Sequence, residues 1–189
     1  MGYANLLIFC SVAIMAWFLV IYFLPRMLLN VYRRAILTQG FEGPIPANTL
    51  ATAPQAIFAD PLHPPASATK LATTGVNHDT LPTVGVLDLK KGPQVLHVPD
   101  MGGRYYSVQL TGPNNTIFAY VGKRTTGTKA GDYLIVGPGW KGRVPSGVKQ
   151  IVSPNNSVLV IGRTLAECNS DLSTAYDLAK QIQLTPLNQ

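Results

Sequence analysis

Four polar groups carry the residue types that chemistry needs. His78 and Asp79 precede Thr80 in NHDTL, and an imidazole beside a carboxylate is half of a general-base relay or two ligands of a metal site. Arg104 stands before Tyr105 and Tyr106. Lys123-Arg124-Thr125-Thr126 gathers two cations and two hydroxyls, a set suited to a phosphate or carboxylate, and Trp140-Lys141 lies between glycines in GPGWKG. No Gly-x-Ser-x-Gly elbow supplies a nucleophile, and Gly127 and Gly131 do not form a Walker-type loop. His78, Asp79, Arg104 and Arg124 are therefore the catalytic candidates, and a plainer reading stands beside each. The Asp79 carboxylate and Thr80 hydroxyl would bond backbone amides at the start of a strand. Arg104 would pair with Asp100 or Asp132 and join two loops, one of the two tyrosines would point inward, and the Trp140 ring would plug one end of the fold. Lys123 and Arg124 would be solvated.

Neither a metal nor a cofactor is expected. Cys10 and Cys168 lie too far apart in sequence for a disulfide framework or ligand spacing, and read as small buried apolar residues. His63 reads as a solvated loop residue. The net charge of +6 lacks the stripe of Arg and Lys interleaved with aromatics that nucleic-acid binding uses, so no nucleic-acid partner is expected.

The polar groups are set among short β-branched or aromatic runs: Val84–Leu89, Gln94–Val98, Tyr105–Leu110, Thr116–Val121, Asp132–Val136, Gln150–Ser153 and Ser157–Gly162. Each is bounded by Gly, Pro, Asn or Asp, and no connection is long enough for a crossover helix, which predicts an antiparallel all-β sandwich. In TIFAYV the alternation sends Ile117, Ala119 and Val121 to one face and Phe118 and Tyr120 to the other. A C-terminal helix follows, with Ser170 as its cap, Asp171 in its first turn and an apolar stripe of Leu172, Ala175, Leu178, Ala179 and Ile182, closed by Pro186.

Leu6–Leu24 contains no charged residue, and its 19 positions match the hydrocarbon thickness of a bilayer at ~1.5 Å per residue. It reads as a retained transmembrane helix, because a signal peptide would carry a basic leader and a small-residue cleavage site. Arg26–Thr38 continues as an amphipathic stretch, either interfacial or an extension of the anchor, with Gly40 and Gly43 ending it. Arg26, Arg33 and Arg34 would meet lipid head groups and place the following domain in the cytoplasm. Two glycosylation sequons, at Asn114 and Asn155, lie in predicted turns. Three regions result: residues 1–40, anchor and juxtamembrane helix; residues 41–76, a Pro-, Ala- and Thr-rich connector with little core of its own; and residues 77–189, the β domain with its helix.

Asn77–Leu187 resembles the domain-of-unknown-function family 1254 through NHDTL, LDL at Leu87–Leu89, VPDMGGRYYSVQL at Val98–Leu110, FAYVGKRTTGTKAGDYLIVGPGWKG at Phe118–Gly142, VIGRTL at Val160–Leu165 and LTPL at Leu184–Leu187. Pro82 departs from the pattern, standing where relatives commonly carry an aromatic. The resemblance implies an immunoglobulin-like sandwich, typically exported, which conflicts with the side that the arginines favour. It also implies a companion jelly-roll domain of family 1214, which this sequence does not contain, and transfers no active site. The expected role is that of a single-pass membrane protein acting as a binding or assembly subunit. Its partners would be the bilayer and a protein covering the sandwich, either a chain bearing the companion domain or a larger membrane complex. A hydrolase-like enzyme or half of a composite active site, and a structural coat or envelope component, are the other two readings.

Overall fold

A computed structural model describes residues 2–59, 68 and 79–187. In chain order the elements are α1 (Tyr3–Thr38), β1 (Leu50–Thr52), α2 (Gln55–Ala59), β2 (Thr80–Asp88), β3 (Gln94–Val98), β4 (Tyr106–Thr111), β5 (Ile117–Gly122), β6 (Gly131–Val136), β7 (Lys149–Val152), β8 (Ser157–Leu165), α3 (Leu172–Gln181) and β9 (Gln183–Pro186). The strands form a five-stranded sheet, β1-β2-β8-β4-β5, and a four-stranded sheet, β7-β6-β3-β9. All pairs are antiparallel except β6 with β7. That pair departs from the wholly antiparallel expectation, and residues 137–148 make the crossover without a helix, close to the shortest length such a connection takes.

The main core lies between the sheets. Leu87, Val108, Leu110, Val121, Val158 and Val160 come from the first sheet and Leu96, Val98, Tyr133 and Ile135 from the second, with Tyr106 fully buried among them. Because side chains alternate along a strand, the neighbours Val84, Val86, Leu159 and Ile161 point to the opposite face of the first sheet. There they meet Ile36 of α1 and Phe41, Ile45, Ala53 and Ile57. Residues 41–59, expected to carry little core, thus cover a sheet face and add β1 as an edge strand. Pro82 is accommodated because it lies just beyond the three residues, Thr83–Gly85, that β1 pairs.

The juxtamembrane stretch is no separate interfacial helix: α1 runs unbroken through Pro25 for 36 residues, ~54 Å. Its large apolar residues from Tyr3 to Val31 are mostly exposed, whereas Arg33 and Ile36 are buried against the first sheet and Arg33 donates to Ser157 Oγ. Gly40 ends the helix with φ +53° and its N–H donates to the Ala35 carbonyl, while Ile45 N–H returns to Ile36. A Cβ at Gly40 would stand 1.9 Å from the Gly43 carbonyl oxygen.

Two further local expectations change. A bulge at Leu110/Thr111 pairs Thr111 with Ile117 and skips Phe118, so Phe118 packs on the core and Ile117 turns outward, reversing the alternation there. Both cysteines are exposed rather than buried: Cys10 lies on α1, and Cys168 Sγ is 3.0 Å from Ser170 Oγ, a contact that holds the thiol below its ordinary pKa together with nearby amides.

Gly40→Ala should therefore lower stability by more than about 2 kcal/mol, since left-handed backbone and a direct clash coincide. Gly139→Ala (φ +75°, nothing within 4 Å) should cost only about 1 kcal/mol. Thermal unfolding of the two variants in the same detergent checks the difference.

Candidate functional site

Of the described candidates, Arg104 and Arg124 line different cavities. His63 and His78 fall outside the described residues. Asp79 lies just before β2 and is exposed, and its carbonyl accepts the Ala166 N–H at 3.0 Å, which ties the start of β2 to the end of β8. The Thr80 hydroxyl does not fix this turn as expected; it is buried with no hydrogen-bond partner among the described residues.

Arg104 pairs with neither Asp100 nor Asp132. Its guanidinium forks onto Asp171, with Nη2 donating to Oδ1 at 2.7 Å and Nη1 to Oδ2, and Nη1 also donates to the Leu165 carbonyl at 2.8 Å. Both side chains are largely covered, 14% and 21% exposed, which is where a two-pronged ion pair holds its geometry. This is also why Ser170 is not the cap of α3. Residues Asn169–Asp171 form a short 3-10 turn, Asp171 stands in the cap position, and its carboxylate is aimed at Arg104 rather than at the helix amides. The Arg104 guanidinium, followed by the Glu167 N–H, lowers the Asp171 carboxyl to a pKa of about 2. Leu172 and Ala175 then bury against Phe58, Leu81 and Ala166. Pro186 does not stop the helix, which ends at Gln181 with Ile182 as its C-cap; it lies in β9, opposite Gln94.

The acids expected near Arg104 serve other partners. Asp100 accepts from Gly102 N–H at 2.9 Å and Lys129 Nζ at 3.1 Å, contacts that lower its pKa. Asp132 lies 2.7 Å from Nδ1 of His97, its cross-strand neighbour, each side chain about half exposed. This His–Asp pair was not singled out from sequence, although placing β3 beside β6 in register would have revealed it.

Arg124 stands over the Tyr105 ring, 5.5 Å from its centroid, while Lys123 is not simply solvated: its Nζ donates to the Gly103 carbonyl at 2.7 Å. Of the tyrosines, Tyr106 points inward and Tyr105 outward, as alternation required. Arg104 borders a cavity of about 440 Å³ with Asp100, Met101, Gly102, Gly103, Glu167 and Thr174. Arg124 lines a different one of about 380 Å³. Trp140 is half-buried, lines neither, and joins none of the buried clusters, so it does not plug the core. Arg104 and Arg124 therefore do not converge on one centre. Among the described residues no three of His, Cys, Asp and Glu are grouped to hold a metal ion.

Fold and polar groups together define a class: a two-sheet β domain joined to a long apolar N-terminal helix, with several of its charged residues pinning loops and helix starts. The chain belongs to the family described as protein of unknown function (DUF1254), whose model matches residues 59–186. Its fold is similar to the crystal structure of the VPA0106 protein from Vibrio parahaemolyticus, with 32% identity and a TM-score of 0.57 over 59% of this chain. The match spans 29% of that longer chain. No curated protein matches the sequence.

The depressed Asp171 pKa has a definite sign. A carboxyl lowered from 3.8 to about 2 on folding stabilises the fold fully above 3.8, and that contribution drains away as pH falls toward 2. Melting temperature should therefore drop between pH 4 and 2 more steeply in the native protein than in Asp171→Asn, which should be less stable at neutral pH and lose less over that interval.

Proposed function

We propose that this chain is a single-pass membrane protein whose β domain, an immunoglobulin-like sandwich, acts as a binding or assembly subunit in a membrane-associated complex. The observation that carries this reading is the continuity of α1. The same helix is mostly apolar and mostly uncovered from Tyr3 to Val31 and clamped to the first sheet at Arg33 and Ile36. Among the described residues one helix, near the N-terminus, is long and apolar enough to cross a membrane, and a bilayer core would match its uncovered length. A helix held this way delivers the domain to the bilayer surface in one orientation, an arrangement suited to meeting a membrane partner.

The edges of the sheets support the second half of the reading. On one side β1 and β9 share a cleft with Lys180 and Ile182 at the end of α3. On the other, β5 and β7 are terminal strands with Ile117, Tyr120 and Val152 about half exposed, and an unpaired strand edge is a ready template for another chain. The similarity to under a third of the VPA0106 protein fits a domain that works beside further structure.

Extracted from its native membrane in mild detergent, the protein should run as a complex larger than one chain plus micelle, with cross-links from the β5 or β7 edge into a second polypeptide. A monodisperse single chain without cross-links at those edges would refute the assembly role. Partition of the protein into the aqueous fraction after membrane lysis would refute the anchor.

A further inference from the structure

Among the described residues, α1 and residues 41–59 cover the outer face of the first sheet over β2 and β8, and none of them packs on the strip of β4 and β5. Tyr105, Ser107 and Gln109 point outward there, since Tyr106, Val108 and Leu110 point into the core. Ser107 pairs with Gly122 and Gln109 with Tyr120, so the smallest side chains of the two strands meet and leave a hollow between larger neighbours. This cavity of about 380 Å³ is lined by Tyr105, Tyr106, Ser107, Tyr120, Arg124 and Thr125 with Gly122, a size that small-molecule sites share.

Its walls are held in place. Thr125 and Thr126 N–H groups both donate to the Gly122 carbonyl, at 3.0 and 2.8 Å, and Thr125 Oγ1 donates to the Tyr120 carbonyl at 3.1 Å. The Tyr120 hydroxyl reaches Gln109 Oε1 at 3.3 Å. The turn's polar groups are thus satisfied internally, with one exception: among the described residues no acceptor takes the Arg124 guanidinium, which is held over the Tyr105 ring. Among the described residues no carboxylate lines the hollow.

We propose that this hollow binds a small organic anion built on a single ring, with the ring against the tyrosines and its carboxylate on Arg124. Aromatic walls favour a flat or ring-shaped body. A preplaced guanidinium without an internal acceptor favours a carboxylate, which it can grip with two parallel hydrogen bonds. The proposal does not require a membrane complex: its groups lie on β4 and the residue before it, on β5 and on the turn after β5.

Benzoate is the probe, titrated into the full chain in zwitterionic nanodiscs and read by ligand-observed NMR. Benzyl alcohol retains the ring without the charge, and acetate the charge without the ring. Benzoate should saturate, and both comparison compounds should bind at least about tenfold more weakly. Arg124→Ala and Tyr120→Ala, both on exposed side chains, should each weaken benzoate about tenfold with the melting temperature unchanged, and Lys141→Ala should leave binding intact. Failure of benzoate to saturate, equal binding of acetate or benzyl alcohol, or full retention of binding in Arg124→Ala would overturn the proposal.

Discussion

Leu159 and Val160 are neighbours on β8 that point to opposite faces of the sheet, and both are fully buried. The rest of the structure follows from that pair. β2 and β8 form the longest ladder, nine residues on each strand, and both are apolar on two sides. One side is satisfied by the second sheet. The other needs a cover that the strands cannot provide, and the end of α1 with residues 41–59 supplies it. Exposing that face would return Val84, Val86, Leu159 and Ile161 to water, at about 1.5–3 kcal/mol for each fully buried side chain. The helix and the domain are therefore one cooperative body.

Arg104 and Asp171 play the corresponding part at the other end of β8. A residue just before β4 grips the residue that starts α3, and the same guanidinium holds the last carbonyl of β8 at Leu165. The ion pair sets where α3 begins and so which of its residues reach Phe58 and Leu81. Removing one partner would leave a mostly covered charge without its counterpart, a costlier change than the modest value of an exposed pair.

Much of this was legible in the sequence for an identifiable reason. The seven strands could be read because turn residues bracket each of them, and the stripe on α3 because its apolar positions recur at helical spacing. β1 and β9 escaped notice: they are three and four residues long, too short to show alternation, and one ends in a proline. The cover on the first sheet was written in the unalternating run Val158-Leu159-Val160, which signals burial on both faces but does not say by what. Arg104 and Asp171 lie 67 positions apart, so sequence proximity pointed to the wrong acids. The bulge that turns Phe118 inward depends on a register shift that no local pattern announces.

The turn at Gly40 leaves no hinge between helix and domain. The last turns of α1 are packed, the chain folds straight back through Ile45, and the next residues are already part of the sheet's cover. Seated in a bilayer, such a helix would transmit its tilt and rotation to the domain as a lever does, and the domain could neither swivel nor reach. Encounter with another membrane protein would then be a search in two dimensions with a preset heading. Much of the orientational cost of docking would be met before the two surfaces touch.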